Sequence, residues 1–147
     1  MFKIPVYQPS LNGNEKKYVN DCLDSTWISS KGKYVTEFEN QFARYIGIDY
    51  ATGVCNGTVA LHLALVALGI GPGDEVIVFE PYYGYHISTL VVTGAVPVYV
   101  RMSPPDWSFL MDDLEAVVTS RTRGIIINSP ANPSGKVFTE IELKQLA

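Results

Sequence analysis

Three short segments carry residue types able to act on a ligand, and each follows a run rich in Val, Ile or small residues. Asn56-Gly57-Thr58 comes straight after residues 51–55 and opens an apolar stretch. Asn56 is a good helix N-cap. Gly57 has no Cβ to hold a ligand away from the backbone. The first N–H groups of a helix point outward, unpaired, at the positive end of its dipole. Together with the Thr58 hydroxyl they can hold a phosphate dianion. An ordinary strand-to-helix turn can read the same way.

Glu80-Pro81-Tyr82-Tyr83-Gly84-Tyr85 follows the second run, residues 75–79. Three tyrosines there can supply a flat face for an aromatic ligand, plus phenol hydroxyls, or they can pack under a loop. Asn128-Ser129-Pro130-Ala131-Asn132-Pro133-Ser134-Gly135 closes the fourth run. Its prolines and glycine fix an irregular turn. Within that turn, Asn128 and Asn132 present amides that can donate to a phenolate oxygen without carrying a charge of their own. A rigid turn is the plainer reading.

Other candidates are weaker. Residues 27–33, Trp-Ile-Ser-Ser-Lys-Gly-Lys, form a loop that faces a substrate or an interface, or is a solvated connection with one buried tryptophan. His62 reads as a satisfied core histidine. Asp112, Asp113 and Glu115 cap and charge the start of a helix. His62 and His86 are the only histidines and Cys22 and Cys55 the only cysteines, so no convincing metal set exists.

The elements that must position these residues follow from periodicity. Residues 3–9 read as an extended arm. Helices are expected over 14–23 and 34–46, the second with the apolar stripe of an amphipathic helix and Gly47 to end it. Short strands are expected at 51–55, 75–79, 96–100 and 124–128. Helices lie between them at 58–68, 85–93 and 111–119, and another begins at 140. Strands alternating with helices at this spacing argue for βαβ units and a mostly parallel sheet. The 59–68 helix is apolar nearly all round and is expected to be buried on two sides. In such sheets ligands bind beyond the carboxyl ends of the strands, where the three segments and a fourth, Arg101 to Trp107, stand.

Composition narrows the function classes. The 147 residues are 47% hydrophobic and 18% charged, as in a globular domain. The net charge is −4 with no basic run, which argues against nucleic acid. The longest apolar run is far short of the roughly 20 residues of a membrane span. Residues 1–9 do not resemble a signal peptide, and the two isolated cysteines suit reduced thiols in the cytoplasm.

In their order, these segments resemble the fold-type-I pyridoxal-phosphate aminotransferases. Residues 4–78 look like the DegT-type sugar-nucleotide aminotransferases. The likeness rests on Ile4-Pro5-Val6-Tyr7, Trp27-Ile28-Ser29 with Gly32, Phe38-Glu39 with Phe42-Ala43, Asn56-Gly57-Thr58 with Ala60-Leu61-His62-Leu63-Ala64-Leu65, and the run from Ala67 to Val78. Residues 79–147 are instead similar to class I/II aminotransferases, through residues 79–85, Thr93-Gly94-Ala95, residues 119–123 and residues 128–138. This split suggests a chimera joined near residues 71–78; a natural divergent member is the alternative.

The resemblance implies a three-layer α/β fold, the large domain of the aspartate-aminotransferase type with four of its strands. It implies pyridoxal 5′-phosphate as cofactor. Gly57 and Thr58 would hold its phosphate, Tyr83 would stack on its pyridine ring, Asn132 would donate to its phenolate oxygen and Asn128 would line the pocket. It implies a small-molecule substrate, a keto sugar from the front half or a keto acid from the back half, and a homodimer. In the family's sheet the runs at 96, 75 and 124 lie side by side in that order. The run at 51 stands apart, so here it is expected to pair beside the run at 124 or to leave edges open; if it moves, the turn at Asn56 to Thr58 leaves its place near Tyr83 and Asn132. None of the lysines at 3, 16, 17, 31, 33, 136 and 144 sits in the family's lysine motif. On that ground the 147 residues read as the N-terminal part of an aminotransferase, truncated and by themselves inactive; a non-catalytic α/β scaffold is the alternative.

Overall fold

The computed structural model describes residues 7–147. Most of the arm expected at 3–9 lies outside them. The chain divides into two compact units, Met1–Gly53 and Val54–Ala147.

The first unit holds α1 (Glu15–Asp24) and α2 (Lys33–Ile46). Asp21 ties the two together. It accepts a hydrogen bond from the Tyr34 hydroxyl at 2.8 Å and pairs with Lys33. The Tyr34 ring packs on Tyr18 with centroids 4.7 Å apart. Gly47 ends α2 in the left-handed region, φ 81°, as its position foretold. The Trp27 indole donates to the Lys31 carbonyl, so the 27–33 loop closes on its own backbone.

The second unit begins with α3 (Gly57–Ala67) and continues β1 (Glu75–Glu80), α4 (Gly84–Thr93), β2 (Val96–Arg101), α5 (Met111–Val117), β3 (Thr122–Ile126) and α6 (Glu140–Leu146). The strands form one parallel sheet in the order β2-β1-β3. This is the block order expected for the runs at 96, 75 and 124. β1 is central, with five of its six residues buried, which explains its unbroken apolar run. Its one buried charge, Glu75, accepts hydrogen bonds from Thr119 and Arg121.

Helices cover both faces. Leu65, Ile70 and Leu90 from the α3–α4 side pack on Val76 and Val78. Leu114 of α5, Phe138 and Leu146 of α6 pack on Ile77, Phe79 and Val100 of the other face. Each fully buried aliphatic side chain contributes about 1.5–3 kcal/mol. The result is the three-layer α/β arrangement.

Three expectations need correction. Residues 51–55 form no strand among the described residues. An extended segment becomes a strand only through a ladder partner, and this one has none. The sheet therefore has three strands where four were expected. Second, α3 buries only Leu65, while Leu63 and Val66 stay 45% and 55% exposed. Its apolar character all round does not place a second layer against it. Third, Asp112 and Asp113 charge the first turn of α5 but do not cap it, since the N-cap is Leu110.

Candidate functional site

The chain leaves β1 at Glu80 and returns one strand to one side as β2, by way of α4 on one face. It then passes α5 on the opposite face and enters β3 on the other side of β1. The direction of winding thus reverses between β1 and β3. At such a switch point the loops beyond the strand ends diverge and leave a crevice. Tyr83 follows β1 and Asn128 follows β3, so both stand at this crevice.

The turn after β1 separates the tyrosines. Tyr82 turns inward, stacks on Tyr99 with centroids 5.5 Å apart and packs against the core beneath α4. Burial and the adjoining Tyr82 raise the Tyr99 phenol above its ordinary value. Tyr83 is the extended N-cap of α4 and remains 38% exposed. Its ring meets Tyr85 at 5.0 Å and stands edge-on to His86 at 5.8 Å and 81°. Of the three tyrosines expected from sequence to form a ligand face, Tyr83 and Tyr85 line a cleft, while Tyr82 packs on the core and lines only the smaller hollow.

A cleft of about 700 Å³ opens beside this aromatic group. Tyr83, Tyr85 and His86 form one wall; Gly57, Thr58 and Leu61 of α3 are on the other. Asn56 caps α3 as expected, its side-chain oxygen accepting the Val59 N–H at 3.0 Å. A Cβ built on Gly57 meets nothing within 4 Å, so the backbone there is open to a ligand. The turn therefore keeps its place beside Tyr83 although residues 51–55 pair with no strand. The link is α3 itself, whose Leu65 packs in the same cluster as Leu90 of α4.

A second, much smaller hollow of about 20 Å³ lies at the switch point, lined among others by Tyr83, His86, Asn128, Ala131 and Asn132. Its floor is Val78, Phe79 and Ile126. The Asn128 side-chain oxygen accepts the Asn132 N–H at 3.1 Å, and Ala131 N–H donates to the Lys136 carbonyl at 2.8 Å. The turn is thus closed on itself. Gly57 and Thr58 meet Tyr83 in the cleft, and Asn128 and Asn132 meet it in the hollow. Thr58 lines the cleft and Asn132 the hollow; Tyr83 and His86 line both.

Sequence reasoning passed over His86 as a site residue. The signal was its spacing: three residues after Tyr83, it falls on the same side of a helix start. Burial lowers its imidazole pKa, favouring the neutral form.

Comparison with known proteins decides the family. The profile of the DegT/DnrJ/EryC1/StrS aminotransferase family matches residues 9–146. The chain belongs to that family. The match runs without a break across residues 71–78, where a join was expected from sequence. A GDP-perosamine synthase of Escherichia coli O157:H7 is 54% identical over 123 residues, 84% of this chain and 34% of that protein. The chain therefore spans about a third of the length of the curated relatives it matches. Among solved structures, a candidate sugar aminotransferase of Streptococcus pneumoniae in its PLP form aligns with a TM-score of 0.74 at 33% identity, covering 84% of this chain and 31% of that one. An alanine aminotransferase of Pyrococcus furiosus aligns at 0.68 and 26% identity, covering 96% and 38%. Pyridoxal phosphate is the cofactor of the DegT family. Among the described residues no helix is long and apolar enough to cross a membrane, and no group of three His, Cys, Asp or Glu side chains could hold a metal.

Proposed function

We propose that this chain builds part of the cofactor site of a pyridoxal-phosphate-dependent aminotransferase acting on a nucleotide-linked keto sugar. One observation carries the proposal: a single cleft sets the helix-opening Gly57-Thr58 turn against the Tyr83 ring. A ligand with a phosphate at one end and a flat ring at the other fits that pairing. When bound, pyridoxal phosphate supplies the electron sink that lets an amino group pass between an amino acid and a keto compound.

The chain's own residues bind and orient. The outward N–H groups of Gly57 and Thr58, with the Thr58 hydroxyl, hold the phosphate. Tyr83 offers its ring face to the pyridine. Asn132 donates an amide hydrogen bond to the ring oxygen, and Asn128 holds Asn132 in place through its backbone. None of these roles needs a lysine. Three of the lysines are already engaged, Lys33 with Asp21, Lys136 with Glu142 and Lys144 with Glu140.

The sugar substrate is favoured over a keto acid by the GDP-perosamine synthases among the relatives. A homodimer sharing the site between subunits and a cytoplasmic location, in keeping with the free thiols of Cys22 and Cys55, complete the reading. Calorimetric titration with pyridoxamine 5′-phosphate tests it, because this form does not condense with stray lysines. One saturable site, weakened in Thr58→Val and in Tyr83→Ala, supports the proposal. Absence of saturable binding overturns it.

A further inference from the structure

We propose that His86 is a positioning residue for the ring-stacking Tyr83: its imidazole stands as a brace between the cleft and the switch-point hollow and fixes the plane that Tyr83 offers to a ligand. The inference rests on the cofactor reading above, because it assigns Tyr83 its partner ring.

Five observations point the same way. His86 and Tyr83 together form the wall common to both cavities. The two rings are close to perpendicular, at 81° with centroids 5.8 Å apart, the edge-to-face arrangement that aromatic quadrupoles favour. The His86 N–H donates to the Tyr83 carbonyl at 2.9 Å, so the backbones of the pair are tied as well as the rings. Tyr85 also meets the Tyr83 ring, tilted by 51° at 5.0 Å, but it is itself 54% exposed where His86 is half-buried. Tyr83 sits at a helix N-cap, outside the regular turns that would lock its rotamer. A side chain so placed keeps one orientation only if a neighbour imposes it, and His86, half-buried, is that neighbour.

Electrostatics agree. Burial of His86 favours the neutral imidazole, which makes the edge contact without adding a charge to the wall.

The test compares His86→Ala and His86→Phe with the parent chain, using pyridoxamine 5′-phosphate and inorganic phosphate as separate probes. Phosphate reports on Gly57 and Thr58 alone. Circular dichroism induced in the pyridoxamine chromophore reports on the ring's orientation. His86→Ala is expected to weaken pyridoxamine phosphate binding about fivefold to tenfold, in the range of one lost aromatic contact. It should also shrink the induced dichroism at saturation and leave phosphate affinity unchanged. His86→Phe, which keeps an aromatic edge, is expected to restore both.

Unchanged dichroism and affinity in His86→Ala would overturn the inference. Equal weakening of phosphate and pyridoxamine phosphate would overturn it too, since that marks a general loss of structure. If the parent chain itself binds no pyridoxamine phosphate, the cofactor reading fails first and takes this inference with it.

Discussion

The side-chain oxygen of Asn128 accepts a hydrogen bond from the backbone N–H of Asn132 at 3.1 Å. One of the two amides thus shapes the turn, and the other stays exposed at the hollow. Asn128→Ala removes the acceptor and is expected to cost about 1 kcal/mol of stability. Asn128→Asp keeps the acceptor but brings a carboxylate to the hollow. Urea melts should show the alanine variant weakened and the aspartate variant near the parent. Pyridoxamine phosphate binding should fall in both.

Gly57 and Thr58 separate backbone from side-chain contributions. Thr58→Val keeps the shape and loses the hydroxyl, so phosphate affinity should fall about tenfold, the worth of one hydrogen bond to a charged group. Gly57→Ala adds a methyl group where nothing lies within 4 Å. Alanine is the better helix former, so the melting temperature should hold or rise. Ligand affinity should nonetheless fall, because the new methyl group stands in the cleft. Calorimetry and thermal melts on the same samples check both halves.

Tyr83 is expected to act through its ring, not its hydroxyl. Tyr83→Phe should bind pyridoxamine phosphate within about twofold of the parent, and Tyr83→Leu should lose roughly fivefold or more, as expected for a lost stacking contact. Equal losses in the two variants would place the important group at the phenol oxygen instead.

Glu75 gives a pH dependence of folding with a definite sign. Hydrogen bonds from Thr119 and Arg121 hold its carboxyl below the usual glutamate value. A group whose pKa is lower in the folded state binds its proton more readily when unfolded. The stabilisation is therefore full above the ordinary glutamate pKa and is lost as pH falls through it towards the lower folded value. Stability measured by urea melts between neutral and acid pH should decline over that window. Glu75→Gln should flatten the decline and lower stability at neutral pH.

Much of this was legible in the sequence, for identifiable reasons. The order of the strands at Val96, Glu75 and Thr122 followed from matching runs to a family sheet, and Asn56 and Gly47 marked helix ends through local chemistry that tertiary contacts do not override. Residues 51–55 misled because β-propensity describes a segment and strand formation needs a neighbour. α3 misled in the same way: an apolar surface records what a helix can cover, and Leu63 and Val66 show that covering need not occur. Within the aromatic segment, sequence identified the tyrosines but not their division. The turn after β1 sends Tyr82 to Tyr99 and Tyr83, the N-cap of α4, to the cleft. His86 was overlooked because its role depends on the angle of a neighbouring ring, which spacing alone does not specify.

The central claim is that Gly57-Thr58, Tyr83 and the 128–132 turn serve one ligand through a shared aromatic wall. Backbone amide NMR of the labelled chain during titration with pyridoxamine 5′-phosphate tests this most directly. Saturating shifts at Thr58, at Tyr83 to His86 and at Asn132, all with one dissociation constant, are the expected result. Shifts confined to residues outside the cleft and the hollow, or different dissociation constants at Thr58 and Asn132, would contradict it.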